Sequence, residues 1–141
     1  MSDYILPEVW ENPTSMGGAW GGLNQPTAGA RFEQTLPKGD QPFQLYTLPT
    51  PNGIKATIML EELKELGVTQ AGYDAYRIKI GDGDQFGSDF VAINPNSKIP
   101  AMMDYSEDQP VRVFESANIL LYLAEKFGKL AYITKATSQL M

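Results

Sequence analysis

The sequence predicts an α/β domain in which a four-stranded mixed sheet carries helices on both faces. Residues 43–80 have the pattern of a strand, a tight loop, a helix and a second strand, which is typical of a parallel βαβ unit. Residues 99–115 contain two short apolar strands separated by "YSEDQP", the pattern of an antiparallel hairpin. Residues 115–128 then close the domain with an amphipathic helix.

Residues 1–42 are predicted to form an extended arm, followed by the domain at 43–128 and a divergent tail at 129–141. The arm is rich in Pro and Gly and has no sustained helical or strand period. Trp10 and Trp20 are large apolar groups, so we expect the arm to pack against another surface. A disordered leader is the alternative.

The βαβ unit begins with the strand "FQLYTL" and the turn cluster "PTPNG". The apolar residues of the next segment recur at helical spacing, and Gly67 is well suited to follow the end of that helix. "YDAYRIKI", at 73–80, alternates as the second strand. The helix is predicted to present one apolar face, formed by Ala56, Met59, Leu63 and Leu66.

The second half contains a short helix around "DQFGSDFVAI", the strands "IPAMMD" and "VRVFE", and the closing helix "ESANILLYLAEKFG". The closing helix is predicted to place Leu120, Leu123 and Phe127 on one face, and Gly128 marks its end. Pro100 lies at the start of a predicted strand. Because proline has no N–H to donate to a sheet ladder, it is expected at the first residue of a strand, on an edge strand or in a special turn. The element order is that of a thioredoxin-like domain.

Composition excludes several classes of function. The formal net charge of -6 disfavours nucleic acids and anionic membrane surfaces, which favour clustered Lys and Arg. The sequence shows no membrane span or signal peptide, so we expect a cytoplasmic protein. With no Cys and no His, disulfides, thiolate nucleophiles, Cys/His metal sites and His bases are excluded. Any sulfur chemistry must use a thiol that a ligand supplies.

The segment "GDGDQFG" partly matches two ligand-binding motifs, but it lacks required residues of both. As a calcium loop starting at Asp82, it places Phe86 and Ile93 where oxygen ligands are required. As a dinucleotide fingerprint starting at Gly81, it has Phe86 at the third glycine position. We therefore predict no metal and no dinucleotide site here.

The remaining polar residues converge on one predicted site. In a thioredoxin-like unit, the loop after the first strand, the turn before the third strand and the start of the last helix meet at one sheet edge. Thr50 and Asn52 offer a hydroxyl and an amide at a positive helix end, which favours an anion such as a thiolate. Glu115 and Ser116 fit the α-amino and α-carboxyl groups of an amino acid. Each also has an ordinary structural alternative, such as Ser116 as an N-cap and Thr50 as a strand end.

These residues carry a family resemblance. "LPTPNGIKATIMLEEL", "NPNSKIPAMMD" and "VFESANILLYLAEKFG" resemble the N-terminal domain of glutathione transferases, over about residues 20–128. With "IGDGDQF" and the long arm, the chain is most similar to the bacterial nu-class glutathione-dependent disulfide-bond reductases. The resemblance implies glutathione as co-substrate, no metal, and thiol-disulfide exchange or conjugation with a small disulfide or electrophile.

The resemblance also implies roles for individual residues. Thr50 and Asn52 stand near the glutathione sulfur as the catalytic residues, and Glu115 and Ser116 hold the γ-glutamyl end. The backbone of Ile99 pairs with the cysteinyl part of glutathione. A cis Ile99–Pro100 bond is expected, because it exposes the Ile99 N–H and C=O to the ligand. The glutathione-binding set is Asn24 from the arm, Thr50, Pro51, Asn52, Gln85, Lys98, Ile99, Pro100, Glu115 and Ser116.

Family members continue into an all-helical C-terminal domain that covers the active site and contributes to a homodimer. The sequence stops at residue 141, and "KLAYITKATSQLM" does not resemble the linker into that domain. We therefore expect a truncation, a frameshifted fragment or a degenerate copy. Two functions stay open: an active glutathione-dependent oxidoreductase or transferase, and a non-catalytic glutathione-binding module.

Overall fold

The computed structural model describes residues 5–6, 8–9, 18, 21–23 and 28–129. The expectations for Trp10, Trp20 and Asn24, and for the tail beyond residue 129, lie outside these ranges. Across the ranges described, no helix has the length and apolar content needed to cross a membrane.

The sheet contains four strands in the order β2-β1-β3-β4. β1 and β2 run parallel, whereas β3 is antiparallel to both β1 and β4. The predicted mixed sheet, with its βαβ unit and its hairpin, is therefore confirmed. The strands are β1 Phe43–Thr47, β2 Tyr73–Arg77, β3 Ala101–Asp104 and β4 Val111–Phe114.

Helices cover both faces of this sheet. They are α1 Gly53–Glu65, α2 Ser88–Ile93 and α3 Ser116–Phe127. Side chains alternate along the strands: Leu45 and Met102 are buried with α1 and α3, while Tyr46 and Ala101 are buried with α2. The two apolar clusters therefore lie on opposite faces, which confirms the thioredoxin-like fold.

The buried face of α1 differs from the prediction at its last turn. Leu66 was expected on this face, but it is 53% exposed. The helix ends at Glu65, and the chain turns away through Gly67, which has a φ of 77°. Leu60 is buried in its place. The buried residues Ala56, Met59, Leu60 and Leu63 follow the spacing i, i+3, i+4, i+7, which is that of one helix face.

Strand β2 stops at Arg77, short of the predicted end. The Ile78 N–H still donates to the Thr47 carbonyl at 2.8 Å. The next N–H, that of Lys79, donates to Asp84 Oδ2 at 2.9 Å, so the ladder ends there. An alternating pattern cannot reveal this, because the competing acceptor comes from a later turn.

Part of the predicted arm packs against the loop that precedes α2. The Arg31 N–H donates to the Phe86 carbonyl at 2.8 Å, and the Gln34 N–H donates to the Ser88 hydroxyl at 2.9 Å. The Arg31 guanidinium carbon lies 3.4 Å from the centroid of the Phe86 ring, a cation-π contact. These contacts fix the loop that carries Gln85.

A buried carboxylate joins the β3–β4 hairpin to α3. Asp104 is fully buried and accepts hydrogen bonds from the Tyr122 hydroxyl at 2.6 Å and the Ser106 N–H at 2.7 Å. Lys126 Nζ lies 3.0 Å from the same carboxylate. Burial alone raises the pKa of Asp104, but the hydrogen bonds from Tyr122, Ser106 and Lys126 outweigh burial and leave this pKa below its usual value. Burial and the bond to Asp104 together raise the pKa of Tyr122 to about 12.

Acidification is expected to remove the contribution of Asp104 to stability. Because its pKa is lower in the folded state, ionised Asp104 stabilises the fold above its unfolded pKa of about 4, and this contribution is lost as pH falls through the folded pKa. Asp104→Asn should lower the free energy of unfolding by about 2 kcal/mol at pH 7, because it leaves the surrounding donors imperfectly paired. Urea unfolding at neutral pH and below the folded pKa measures both effects. A difference between wild type and variant that does not shrink in acid would contradict the assignment.

Gly53 occupies a place at the start of α1 where no side chain fits. A Cβ there would collide with the Leu48 carbonyl oxygen and the Thr47 hydroxyl, which itself donates to the Gly53 carbonyl at 3.2 Å. We expect Gly53→Ala to lower the free energy of unfolding by about 2 kcal/mol, although alanine is normally favoured over glycine in helices by about 1 kcal/mol. Gly81→Ala is the matched control, because its Cβ would meet nothing within 4 Å. Equal urea midpoints for the two variants would contradict this account.

Candidate functional site

Four chain segments converge at one edge of the sheet. Ala101, the first residue of β3, pairs with Tyr46 near the end of β1 and with Phe114 at the end of β4. Neighbouring strands lie about 4.8 Å apart, so the loop after β1, the turn before β3 and the start of α3 lie side by side. The ends of β1 and β2 are also paired, which brings the loop carrying Gln85 to this edge.

Thr50 shapes the start of α1. Its hydroxyl oxygen accepts a hydrogen bond from the Gly53 N–H at 3.1 Å, and its carbonyl accepts one from the Ile54 N–H at 3.0 Å. Thr50 therefore holds the turn formed by Pro51 and Asn52, which leads into α1 at Gly53. This bond holds the oxygen of Thr50, and its O–H has no acceptor among the described residues, so it can donate to a ligand at the positive end of the helix.

The turn before β3 is built on the buried side chain of Asn94. Its Nδ2 donates to the Lys98 carbonyl at 2.6 Å, and its Oδ1 accepts from the Asn96 N–H at 2.9 Å. The Ile99–Pro100 peptide bond that follows is cis. Neither the N–H nor the C=O of Ile99 has a hydrogen-bond partner in the described part of the chain. Both groups are therefore available to a ligand in an extended conformation.

An open cavity of about 320 Å³ lies where these segments meet. This volume falls within the range of about 300–1,000 Å³ that is typical of small-molecule sites. Half of the residues predicted as glutathione-binding line it: Thr50, Asn52, Gln85, Lys98 and Ile99.

The other described residues of the predicted set do not line this cavity: Pro51, Pro100, Glu115 and Ser116. Glu115 is exposed, and its Oε1 accepts a hydrogen bond from Asn96 Nδ2 at 3.3 Å, so it lies beside the turn before β3. The alternative of Ser116 as an N-cap is wrong: Glu115 holds that position, and Ser116 is the first residue of α3. The Ile119 N–H bonds to the Glu115 carbonyl at 2.9 Å, and α3 begins at Ser116, one residue after the start of the predicted segment. Asn24 lies outside the described residues.

The charge around the cavity favours an anionic ligand. Within the described residues, Lys98 is the one charged side chain in the cavity wall, and its Nζ lies 3.4 Å from the Leu23 carbonyl. Asn52 Oδ1 accepts from Lys55 Nζ at 2.9 Å, which leaves the Asn52 amide hydrogens as donors. The N-terminus of α1 adds a partial positive charge. This arrangement can stabilise a carboxylate or a thiolate.

Several residues of the site were missed from the sequence. Leu23, Ile80 and Ser97 also line the cavity, and Asn94 shapes its wall. Asn94 had a signal, because an Asn-Pro pair is typical of turn initiation. Ile80 and Ser97 had none, because their places depend on where β2 ends and on how the turn folds.

Comparisons with known proteins identify the family to which the chain belongs. The family described as "Glutathione S-transferase, N-terminal domain" matches residues 51–126. The disulfide-bond oxidoreductase YghU of Escherichia coli is 62% identical over 125 residues, which are 89% of this chain and 43% of that protein. The chain spans about half the length of the curated relatives it matches.

Solved structures share the fold. A glutathione transferase YghU from Streptococcus pneumoniae, complexed with glutathione, is 62% identical with a TM-score of 0.87, over 98% of this chain and 54% of that one. A glutathione transferase from Pseudomonas putida, with one glutathione disulfide bound per subunit, is 42% identical with a TM-score of 0.60, over 68% of this chain and 40% of that one. Together with the family match over more than half of its residues, these similarities show that the chain belongs to the glutathione S-transferase N-terminal domain family.

Proposed function

We propose that this chain binds glutathione in the cavity and presents its thiolate for thiol-disulfide exchange. One observation carries the proposal: a single cavity combines the Thr50 hydroxyl and the Asn52 amide at the positive end of α1 with the Ile99 backbone, which has no partner in the described part of the chain. The first two groups suit a thiolate, and the third suits a peptide. The bound glutathione and the oxidoreductase activity named for the relatives support the same conclusion.

Recognition of the glutathione peptide follows from the sheet edge. The Ile99 backbone pairs with the cysteinyl part, as in strand addition. The Glu115 carboxylate receives the γ-glutamyl ammonium group, and Ser116 with the first N–H groups of α3 receives the γ-glutamyl carboxylate. Gln85 and Lys98 contact the rest of the peptide. Asn24, Pro51 and Pro100 complete the proposed set.

The chemistry requires no protein thiol. The bound thiolate attacks one sulfur of a small disulfide, a new S–S bond forms to glutathione, and the other half leaves as a thiolate that takes up a proton. A second glutathione thiolate then attacks the mixed disulfide, forms glutathione disulfide and releases the second half of the substrate as a thiol. Since the chain has no Cys, both reducing equivalents come from glutathione. The protein lowers the thiol pKa and aligns the sulfur with its acceptor.

The same thiolate can attack a carbon electrophile, which gives a transferase reaction. Binding of glutathione without turnover of either a model disulfide or an aryl halide would identify a non-catalytic module instead. Turnover assays on the purified chain distinguish these functions.

The homodimer implied by the family is a separate prediction, and sedimentation of the purified chain tests it.

Removal of the Thr50 hydroxyl is expected to raise the pKa of the bound glutathione thiol. A hydrogen bond to a charged group contributes about 1.5–3 kcal/mol, so Thr50→Val should raise this pKa by about one unit or more and lower the thiolate fraction at neutral pH. Ultraviolet absorbance of the bound thiolate against pH measures it.

Thr50→Ser is the matched control, because it keeps both the hydroxyl and the cap on the Gly53 N–H. Asn52→Ala removes the second donor without touching that cap, so it separates thiolate stabilisation from loss of helix stability. An unchanged thiol pKa in both Thr50→Val and Asn52→Ala would refute their catalytic role.

Ser116→Ala is expected to weaken glutathione binding by roughly ten- to hundred-fold, because a hydrogen bond to a charged group contributes about 1.5–3 kcal/mol. Calorimetric titration with reduced glutathione and with glutathione disulfide tests wild type and variant together. If neither form binds the wild-type chain, the site assignment fails.

A further inference from the structure

Ser97 combines two unfavourable features in the cavity wall. It is 1% exposed, and its Oγ has no hydrogen-bond partner among the described residues. Its φ of 53° lies in the left-handed region, which a residue with a Cβ seldom adopts. Both features reduce stability, and such features persist mainly where a binding site requires them.

The turn itself does not need the Ser97 hydroxyl. Asn94 holds this turn through its bonds to the Lys98 carbonyl and the Asn96 N–H, and its own carbonyl accepts from the Ser97 N–H at 3.0 Å. Glycine would adopt the left-handed conformation more readily. A purely structural requirement at this position would therefore favour glycine over serine.

A second unpartnered polar atom belongs to the same cavity wall. Gln85 is 2% exposed, and its Nε2 donates to the Ile80 carbonyl at 3.3 Å, but its Oε1 has no partner within the described ranges. Ser97 and Gln85 both line the cavity. Among the described residues, the wall thus holds a hydroxyl donor and an amide acceptor without partners, which complement the C=O and N–H that a peptide presents.

We propose that Ser97 is a ligand-binding residue, whose hydroxyl donates to a peptide carbonyl or carboxylate oxygen of the bound thiol peptide, while Gln85 Oε1 accepts a peptide N–H. This inference rests on the proposed function and adds a specificity determinant to the same site. Ser97 belongs to peptide recognition and not to thiolate stabilisation. Its loss therefore weakens binding of reduced glutathione and S-methylglutathione equally and leaves the pKa of the bound thiol unchanged.

Two substitutions of Ser97 distinguish the effect of the hydroxyl on ligand affinity from the effect of the left-handed backbone on stability. Ser97→Ala removes the hydroxyl and keeps a Cβ in the left-handed region, whereas Ser97→Gly removes the hydroxyl and fits that region. We expect both variants to lose about five-fold in affinity for each ligand by calorimetry, the size expected for one hydrogen bond. Urea unfolding should show Ser97→Gly to be more stable than Ser97→Ala.

Two outcomes would overturn the inference while leaving the proposed function intact. One is Ser97→Gly binding glutathione as tightly as wild type, which would make the hydroxyl dispensable. The other is a thiol pKa that rises in both Ser97 variants, which would place the residue at the sulfur. A wild-type chain that binds neither ligand overturns the proposed function itself, and this inference with it.

Discussion

The site depends on the position of β3 between β1 and β4. Pairing of Ala101 with both Tyr46 and Phe114 fixes the register of three strands at one edge of the sheet. A shift by one residue would turn every side chain of β3 to the other face, so burial on both faces enforces this register. The loops that leave and enter these strands therefore meet at one place, and the cavity follows from their meeting.

Polar groups are used differently at the two ends of β3. At the hairpin end, Asp104 is buried and fully paired with Tyr122 and Lys126, which joins the hairpin to α3. At the cavity end, the Ile99 backbone and the Ser97 hydroxyl are unpaired within the described residues. The paired end stabilises the fold, and the unpaired end is where a ligand can supply the missing partners.

Because the chain contains no cysteine, the thiol chemistry proposed for it depends on electrostatics and position alone. Thr50 illustrates how the backbone does this: its oxygen is held by the Gly53 N–H, so the hydroxyl is oriented before any ligand arrives. Such preorganised donors are effective because they need little rearrangement when charge develops. The close approach of Gly53 to Leu48, which excludes a side chain there, keeps this first turn in place.

The sequence by itself determined the order of the elements, the mixed sheet and the βαβ and hairpin units, because apolar periodicity and turn residues are local properties. It also identified five residues of the cavity wall: Thr50 and Asn52 from their chemistry, and Gln85, Lys98 and Ile99 through the family resemblance of the motifs that contain them. Only the tertiary structure decided that Leu66 is exposed, that β2 ends early and that the Ser97 hydroxyl is buried with no partner among the described residues. These outcomes depend on which distant group competes for a backbone N–H and on how the turn before β3 packs. Local sequence patterns do not report such contacts between distant residues.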